Sequence, residues 1–146
     1  MLKNLEGNLE RRRAMTRLGV RTEKRCEFVE ITGTVAEAVR KSGVKEGIVL
    51  IYCPHTTAGV TINENADPDV IRDIAAKTSK LVEEDDPDYC HAEGNSDAHI
   101  KSSIIGASET VIIEDGRLAL GTWQGIYFAE FDGPRSREVL LKIIEG

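Results

Sequence analysis

The feature that most constrains the fold is the run Ile48-Val49-Leu50-Ile51-Tyr52, closed by Gly47 before it and Cys53-Pro54 after it. Uninterrupted apolar sequence of this length is the pattern of a strand covered on both faces. Such a strand needs neighbours in a sheet and further layers around it. A chain of 146 residues has enough core to supply them.

The flanking sequence reads as those layers. Thr16 to Ile31 alternates as two strands, with Cys26, Phe28 and Glu30 on one face and Glu27, Val29 and Ile31 on the other. Thr34 and Glu37 fit a capping box, and the helix they open should end near Ser42, with Gly43 as its left-handed cap. Ala58 to Asn63 alternates as a strand. Asp67 and Pro68 fit the N-cap and first position of a helix carrying Ile71, Ile74, Ala75, Thr78, Leu81 and Val82 on one stripe. Strands follow at Thr110–Ile113 and Leu118–Leu120 around an Asp115-Gly116 turn, then at 123–131 and 138–144. The economical picture is one α+β domain over residues 15–146, with two or three helices packed on an antiparallel or mixed sheet. Residues 1–14 form a charged extension in which Leu2, Leu5 and Leu9 trace a thin helical stripe, and Met15 is a second candidate start.

A net charge of -6 argues against a nucleic-acid surface, and the Arg11-Arg12-Arg13 cluster is confined to the extension. No apolar run reaches the roughly 20 residues that span a bilayer. Three cysteines at irregular spacing suggest free thiols in a cytoplasmic protein.

The chemistry-bearing residues fall in a few places. Tyr89 to Ser103 holds His91 and His99, two of the three histidines, and reads as a polar loop entering a helix, with Ser96 at the N-cap and Asp97 in the first turn. His55 follows the apolar run. If the fold joins that strand end to the loop, three imidazoles converge into a set that suits zinc or another transition metal with one open position. Isolated histidines making ordinary hydrogen bonds are the other reading. A Cys53, His55, Cys90, His91 set resembles structural zinc, although both cysteines also suit apolar filling.

The helix start at Ser96 offers N–H groups to an anion, with Lys101, Ser102 and Ser103 as added donors. Lys101 lies four residues after Asp97, however, and the two fit a weak surface pair equally well. Asn63, Glu64 and Asn65 remain after capping is satisfied. Trp123 and Gln124, between Gly121 and Gly125, could hold a heteroaromatic ring, with core packing of Trp123 the alternative. Glycine at such strand positions marks a bulge or a close approach of backbone or ligand.

His55-Thr56-Thr57-Ala58-Gly59-Val60, Asn63-Glu64-Asn65-Ala66-Asp67-Pro68, His99-Ile100-Lys101-Ser102-Ser103 and Leu120-Gly121-Thr122-Trp123-Gln124-Gly125-Ile126-Tyr127 occur in this order. Together they make residues 16 to 131 resemble the YjbQ-like family, also called the secondary thiamine-phosphate synthase family. The resemblance implies a compact α+β homotrimer with sites near subunit boundaries and a metal-associated cluster at His55, His91 and His99. It also implies a thiamine-phosphate synthase activity that joins hydroxymethylpyrimidine diphosphate to thiazole phosphate and releases pyrophosphate. On that expectation the metal, Lys101 and the helix start stabilise the leaving group, while Trp123 and Gln124 hold the pyrimidine. Asn63, Asn65, Ser102 and Ser103 complete the substrate contacts, and magnesium could accompany the pyrophosphate.

Two alternatives stand beside it. One is a metal-dependent hydrolase with Glu93 or Glu64 as general base. The other is a non-catalytic trimer that binds a metal or a small phosphorylated metabolite.

Overall fold

The computed structural model describes residues 15–146. The leucine stripe and arginine cluster expected in residues 1–14 lie outside the described residues. The described chain forms one compact α+β domain with two antiparallel sheets and three helices. The larger sheet has the order β1 (Thr16–Arg21), β8 (Ser136–Glu145), β3 (Gly47–Tyr52), β5 (Ser108–Glu114) and β6 (Arg117–Leu118). The smaller has the order β2 (Glu27–Glu30), β7 (Gln124–Glu130) and β4 (Ala58–Glu64). The helices are α1 (Thr32–Ser42), α2 (Pro68–Leu81) and α3 (Ser96–Ile105). None of them is long and apolar enough to cross a membrane.

Alternation builds the core. Val49 and Ile51 of β3 and Val139 and Leu141 of β8 meet Val60, Ile126 and Phe128 of the smaller sheet, with Val35 and Val39 of α1 alongside. Burial of such side chains contributes roughly 1.5–3 kcal/mol each.

Two boundaries follow local chemistry closely. Asp67 caps α2 by accepting from the Asp69 N–H at 2.9 Å, with Pro68 at the first helical position. Asp115 and Gly116 take positive φ values of 51° and 73°, the geometry of a two-residue hairpin turn between β5 and β6.

Three expectations are corrected. Helix α1 begins at Thr32 with Ile31 at its cap position, so Thr34 lies inside it, and Glu37 pairs with Arg40 at 2.7 Å instead of reaching back. Asn95, not Ser96, caps α3, and its amide donates to Asp132 at 2.9 Å and makes no cap bond. Strand β3 is fully covered on one face only: Val49 and Ile51 are buried, whereas Ile48 and Leu50 on the other face are half-buried and Tyr52 is 43% exposed.

Candidate functional site

The loop between β3 and β4 carries His55, and several tethers fix it. Cys53 N–H donates to Ala107 O at 2.7 Å, and Phe131 N–H donates to Thr57 O at 3.1 Å. Arg137 donates to the Thr57 hydroxyl at 2.8 Å while forking onto Glu130 at 2.8 and 2.6 Å. Glu130 is fully buried, and its carboxylate also accepts from Thr22 and from the backbone of Phe131 and Asp132. Burial pushes this carboxyl up, but Arg137 and the other donors outweigh it and hold it below the usual carboxylate range. A buried pair with its remaining lone pairs satisfied is the geometry in which such a pair is tolerated.

His55 lies three residues past the end of β3, and its side chain is held on the backbone of β8. Its Nε2 lies 3.1 Å from both the Glu138 N–H and the Glu138 carbonyl. One ring nitrogen serves one of these at a time, and either choice holds Nε2 against backbone and leaves Nδ1 for any ligand. Burial, and then the Arg137 charge, hold the His55 pKa below its ordinary value, so the ring is neutral at pH 7.

Helix α3 is anchored from beneath. Asp97 is wholly buried and accepts from Lys101 at 2.7 Å and from Arg25 at 2.9 and 3.1 Å. The Lys101 side chain is only 3% exposed. Burial raises the Asp97 carboxyl, but the Arg25 and Lys101 hydrogen bonds outweigh it and leave it low. The far end of α3 is locked onto β4, where Val60 N–H donates to Gly106 O at 3.1 Å. A Cβ on Gly59 would stand 2.5 Å from that same oxygen, so glycine is required for the approach. Ser102 Oγ lies 2.6 Å from Thr56 O and 2.9 Å from His99 O, joining the helix to the His55 loop.

A cleft of about 540 Å³ opens between loop and helix, lined by His55, Thr56, His99, Ser102, Ser103 and Gly106 among others. His99 also lines a separate, smaller cleft of about 370 Å³ with Cys90, His91 and Ser96. There the His91 and His99 rings meet edge to face with centroids 5.3 Å apart.

The three histidines therefore do not face one point. His55 is held on Glu138, His99 stands between two clefts, and His91 is exposed with Glu93 beside it at 3.5 Å. Among the described residues no group of three or more His, Cys, Asp or Glu side chains is placed to hold a metal ion. The Cys53, His55, Cys90, His91 alternative fails on the same count. Cys53 is buried behind the loop, Cys90 is exposed, and both are free thiols.

The other site residues are scattered too. Asn63, Glu64 and Asn65 close β4 beside Gln124 and Gly125 of β7, at the end away from His55. Seven strand residues separate the two groups by roughly 20 Å. The Asn65 side chain packs on Gly125, where a Cβ would stand 2.6 Å from its Nδ2, and Asn65 N–H donates to Trp123 O at 2.9 Å. The close approach expected at this glycine comes from the chain itself. Gln124 Oε1 accepts from Gly121 N–H, and Trp123 is 63% exposed, not packed in the core. Lys101, expected near a leaving group, is instead committed to Asp97.

Residues 16–146 match the family described as UPF0047 protein YjbQ-like. The chain belongs to that family. It is 58% identical over 125 residues to a UPF0047 protein of Methanocaldococcus jannaschii, covering 86% of this chain and 90% of that one. It is 52% identical to UPF0047 protein YugU of Bacillus subtilis, covering 87% and 96%. Among solved structures, a YjbQ/UPF0047 protein of Clostridium acetobutylicum superposes with a TM-score of 0.86 at 55% identity over 88% of this chain and 99% of that one. A YbjQ-like protein of unknown function from Sulfolobus solfataricus gives 0.86 at 34% identity over 91% and 97%.

Family membership is thus secure, and the activity expected with it is not. These relatives carry family names and no activity. Nor do the described residues form the three-histidine metal centre on which a thiamine-phosphate synthase, or a metal-dependent hydrolase, was expected to rest. Both expectations are corrected on these grounds.

Sequence reasoning missed Arg25, Glu130 and Arg137, which position the loop and helix that frame the cleft. Glu130 and Arg137 carry only the signal of a charged residue inside an otherwise core-forming strand, as at Glu130 between Ala129 and Phe131, and Arg25, in the bend before β2, carries none.

Proposed function

We propose that the cleft between the His55 loop and α3 binds a small phosphorylated metabolite, in a homotrimer of this chain. The composition of the wall carries this reading. It presents the imidazoles of His55 and His99 and the Thr56 hydroxyl, with no carboxylate, although the chain has 25 acidic residues, while Ser102 and Ser103 line it with hydroxyls that donate to the Thr56 and His99 carbonyls. A phosphate brought there meets hydrogen-bonding groups and no like charge in the wall. A volume of about 540 Å³ is in the range of small-molecule sites. His55 enters as a neutral imidazole through Nδ1, and Glu130, Arg137 and Asp97 act only by holding the frame.

The open face of the larger sheet supports self-association. Ile144, Ile48 and Ile112 stand in one cross-strand row, with Leu50, Tyr52 and Leu140 beside them. Ile112 is 63% and Ile144 47% exposed, so this apolar row is left for a second copy to cover. Free thiols at Cys26, Cys53 and Cys90 support a reducing, cytoplasmic setting.

Calorimetric titration with phenyl phosphate tests the binding. Saturable binding near one site per chain is expected, weakened roughly tenfold or more in His99→Ala with an unchanged thermal midpoint. Absence of saturable heat, or equal affinity in the variant, would refute it.

A further inference from the structure

Residues 83–94, between α2 and α3, line no part of the cleft assigned to the phosphorylated ligand. They carry carboxylates at Glu83, Glu84, Asp85, Asp86, Asp88 and Glu93 and have no lysine or arginine. All are exposed except Asp86 and Tyr89, which are half-buried. Like charges along one short segment repel each other and favour solvation over docking. The segment nevertheless lies against α3. Asp88, Tyr89, Cys90 and His91 wall the smaller cleft of about 370 Å³ on one side, and Ser96, His99 and Ile100 of α3 wall it on the other.

Internal bonds give the segment a shape of its own. The Asp86 carboxylate accepts from Asp88 N–H at 2.9 Å, Tyr89 N–H donates to Asp86 O at 3.1 Å, and the Tyr89 hydroxyl donates to Glu83 O at 2.8 Å. Its ties to the body are few. Among the described residues no backbone hydrogen bond joins it to the body. One ion pair, from Arg25 Nε to Glu84 at 3.2 Å, and one ring contact, His91 edge to face on His99, hold it in place. The Arg25 and Glu84 side chains are 31% and 58% exposed, so that pair is weak. The two ends are firm, with Val82 buried and the Asn95 amide donating to Asp132. Gly94, just before Asn95, has a φ of 72° and open space where a Cβ would stand, which suits a hinge.

We propose that residues 83–94 are a hinged lid over the smaller cleft, latched by Glu84 on Arg25, which opens while the domain stays folded. Opening carries Tyr89, Cys90 and His91 away as one piece and bares the sides of His99 and Ile100 that face this cleft. The latch geometry suits that motion. Asp97 takes Nη1 and Nη2 of Arg25, whereas Glu84 takes Nε. Release of Glu84 therefore leaves both bonds to Asp97 intact and strands no buried charge, so α3 stays anchored as the lid parts. Openings of this kind draw on segments with few buried contacts. His99 is the residue common to the two clefts, and the other walls of the His55 cleft lie outside the lid.

Histidine ring signals of the full chain, read by magnetic resonance with no ligand added, test the lid independently of phosphate binding. The spectra are taken at about pH 9, where a free imidazole is uncharged. His91→Ala removes the ring contact and marks where the His99 signals lie once uncovered. Glu84→Lys turns attraction into repulsion and should raise the ratio of open to closed lid roughly fivefold or more, with Glu84→Gln in between. The His99 signals should then move from the wild-type position towards that of His91→Ala, further in Glu84→Lys than in Glu84→Gln. The His55 signals and the thermal midpoint should stay as in wild type. His99 signals that stay in place in both Glu84 variants, or that ignore His91→Ala, would overturn the lid. So would signals that move only together with His55 and a lowered thermal midpoint, because the domain would then be loosening as a whole.

Discussion

Asp97→Asn is the substitution whose outcome the structure specifies most fully. The Asp97 side chain has no exposed surface, and Lys101, 2.7 Å away, has 3%. Neutralising the carboxylate leaves the Lys101 ammonium buried without a counter-charge, whereas Arg25 is 31% exposed and keeps Glu84 at 3.2 Å. The cost therefore concentrates on Lys101. Breaking a buried pair from one side costs about 3–5 kcal/mol. Lys101→Met should cost less, about 1–2 kcal/mol, because Asp97 keeps its two-pronged Arg25 partner. The double variant Asp97→Asn/Lys101→Met should then be more stable than Asp97→Asn alone, since it removes the orphaned charge. Denaturant unfolding at fixed protomer concentration reads all four proteins. For a chain of this size Asp97→Asn should also lower the thermal midpoint by about 10 °C. A cost below about 1 kcal/mol, as for an exposed pair, would refute the reasoning. So would a Lys101→Met protein of unchanged stability that no longer binds phenyl phosphate, because Lys101 would then serve the ligand and not the frame.

Glu130→Gln should flatten the acid limb of stability. Its carboxyl is held below the usual range, so it stabilises the fold above the ordinary carboxylate pKa of about 4.3, and that stability is lost as pH falls through the lower folded value; thermal midpoints from pH 7 downwards measure the difference. His55 has the same sign for a different reason: its depressed pKa means that stability is lost on descending through the ordinary histidine range near about 6.5, and His55→Gln should remove that step. Gly59→Ala should destabilise by about 2 kcal/mol or more and loosen α3, seen as faster amide exchange at Gly106, because the added methyl meets Gly106 O. Ile112→Lys should reduce the sedimenting species to a monomer without unfolding it, and a trimer that persisted would remove the sheet face from the interface.

Legibility in the sequence followed the range of the forces involved. Asp67-Pro68 and Asp115-Gly116 act within a few residues, and both appear where local chemistry puts them. The run from Ile48 to Tyr52 told of a strand but not of what covers it, because an outer apolar face reads the same whether the same chain or another copy buries it. Asp97 and Lys101 looked like a surface pair at helical spacing; their depth is set by Arg25, 72 residues earlier in the chain. His55 looked available to a metal until Glu138, 83 residues later, took its Nε2. The convergence of histidines failed on orientation, since His91 meets only the His99 ring while His55 is held on Glu138 in the neighbouring cleft. Imidazole spacing carries no information about that.

The measurement closest to the central claim is a titration of the three histidine ring signals by magnetic resonance as phenyl phosphate is added to the wild-type protein. Binding in the cleft between the His55 loop and α3 predicts that the His55 and His99 rings shift together and saturate at one concentration, while His91 stays in place. Movement of His91 with His99 and a still His55 would put the ligand in the neighbouring cleft. That result, or no saturable movement at all, would contradict the account.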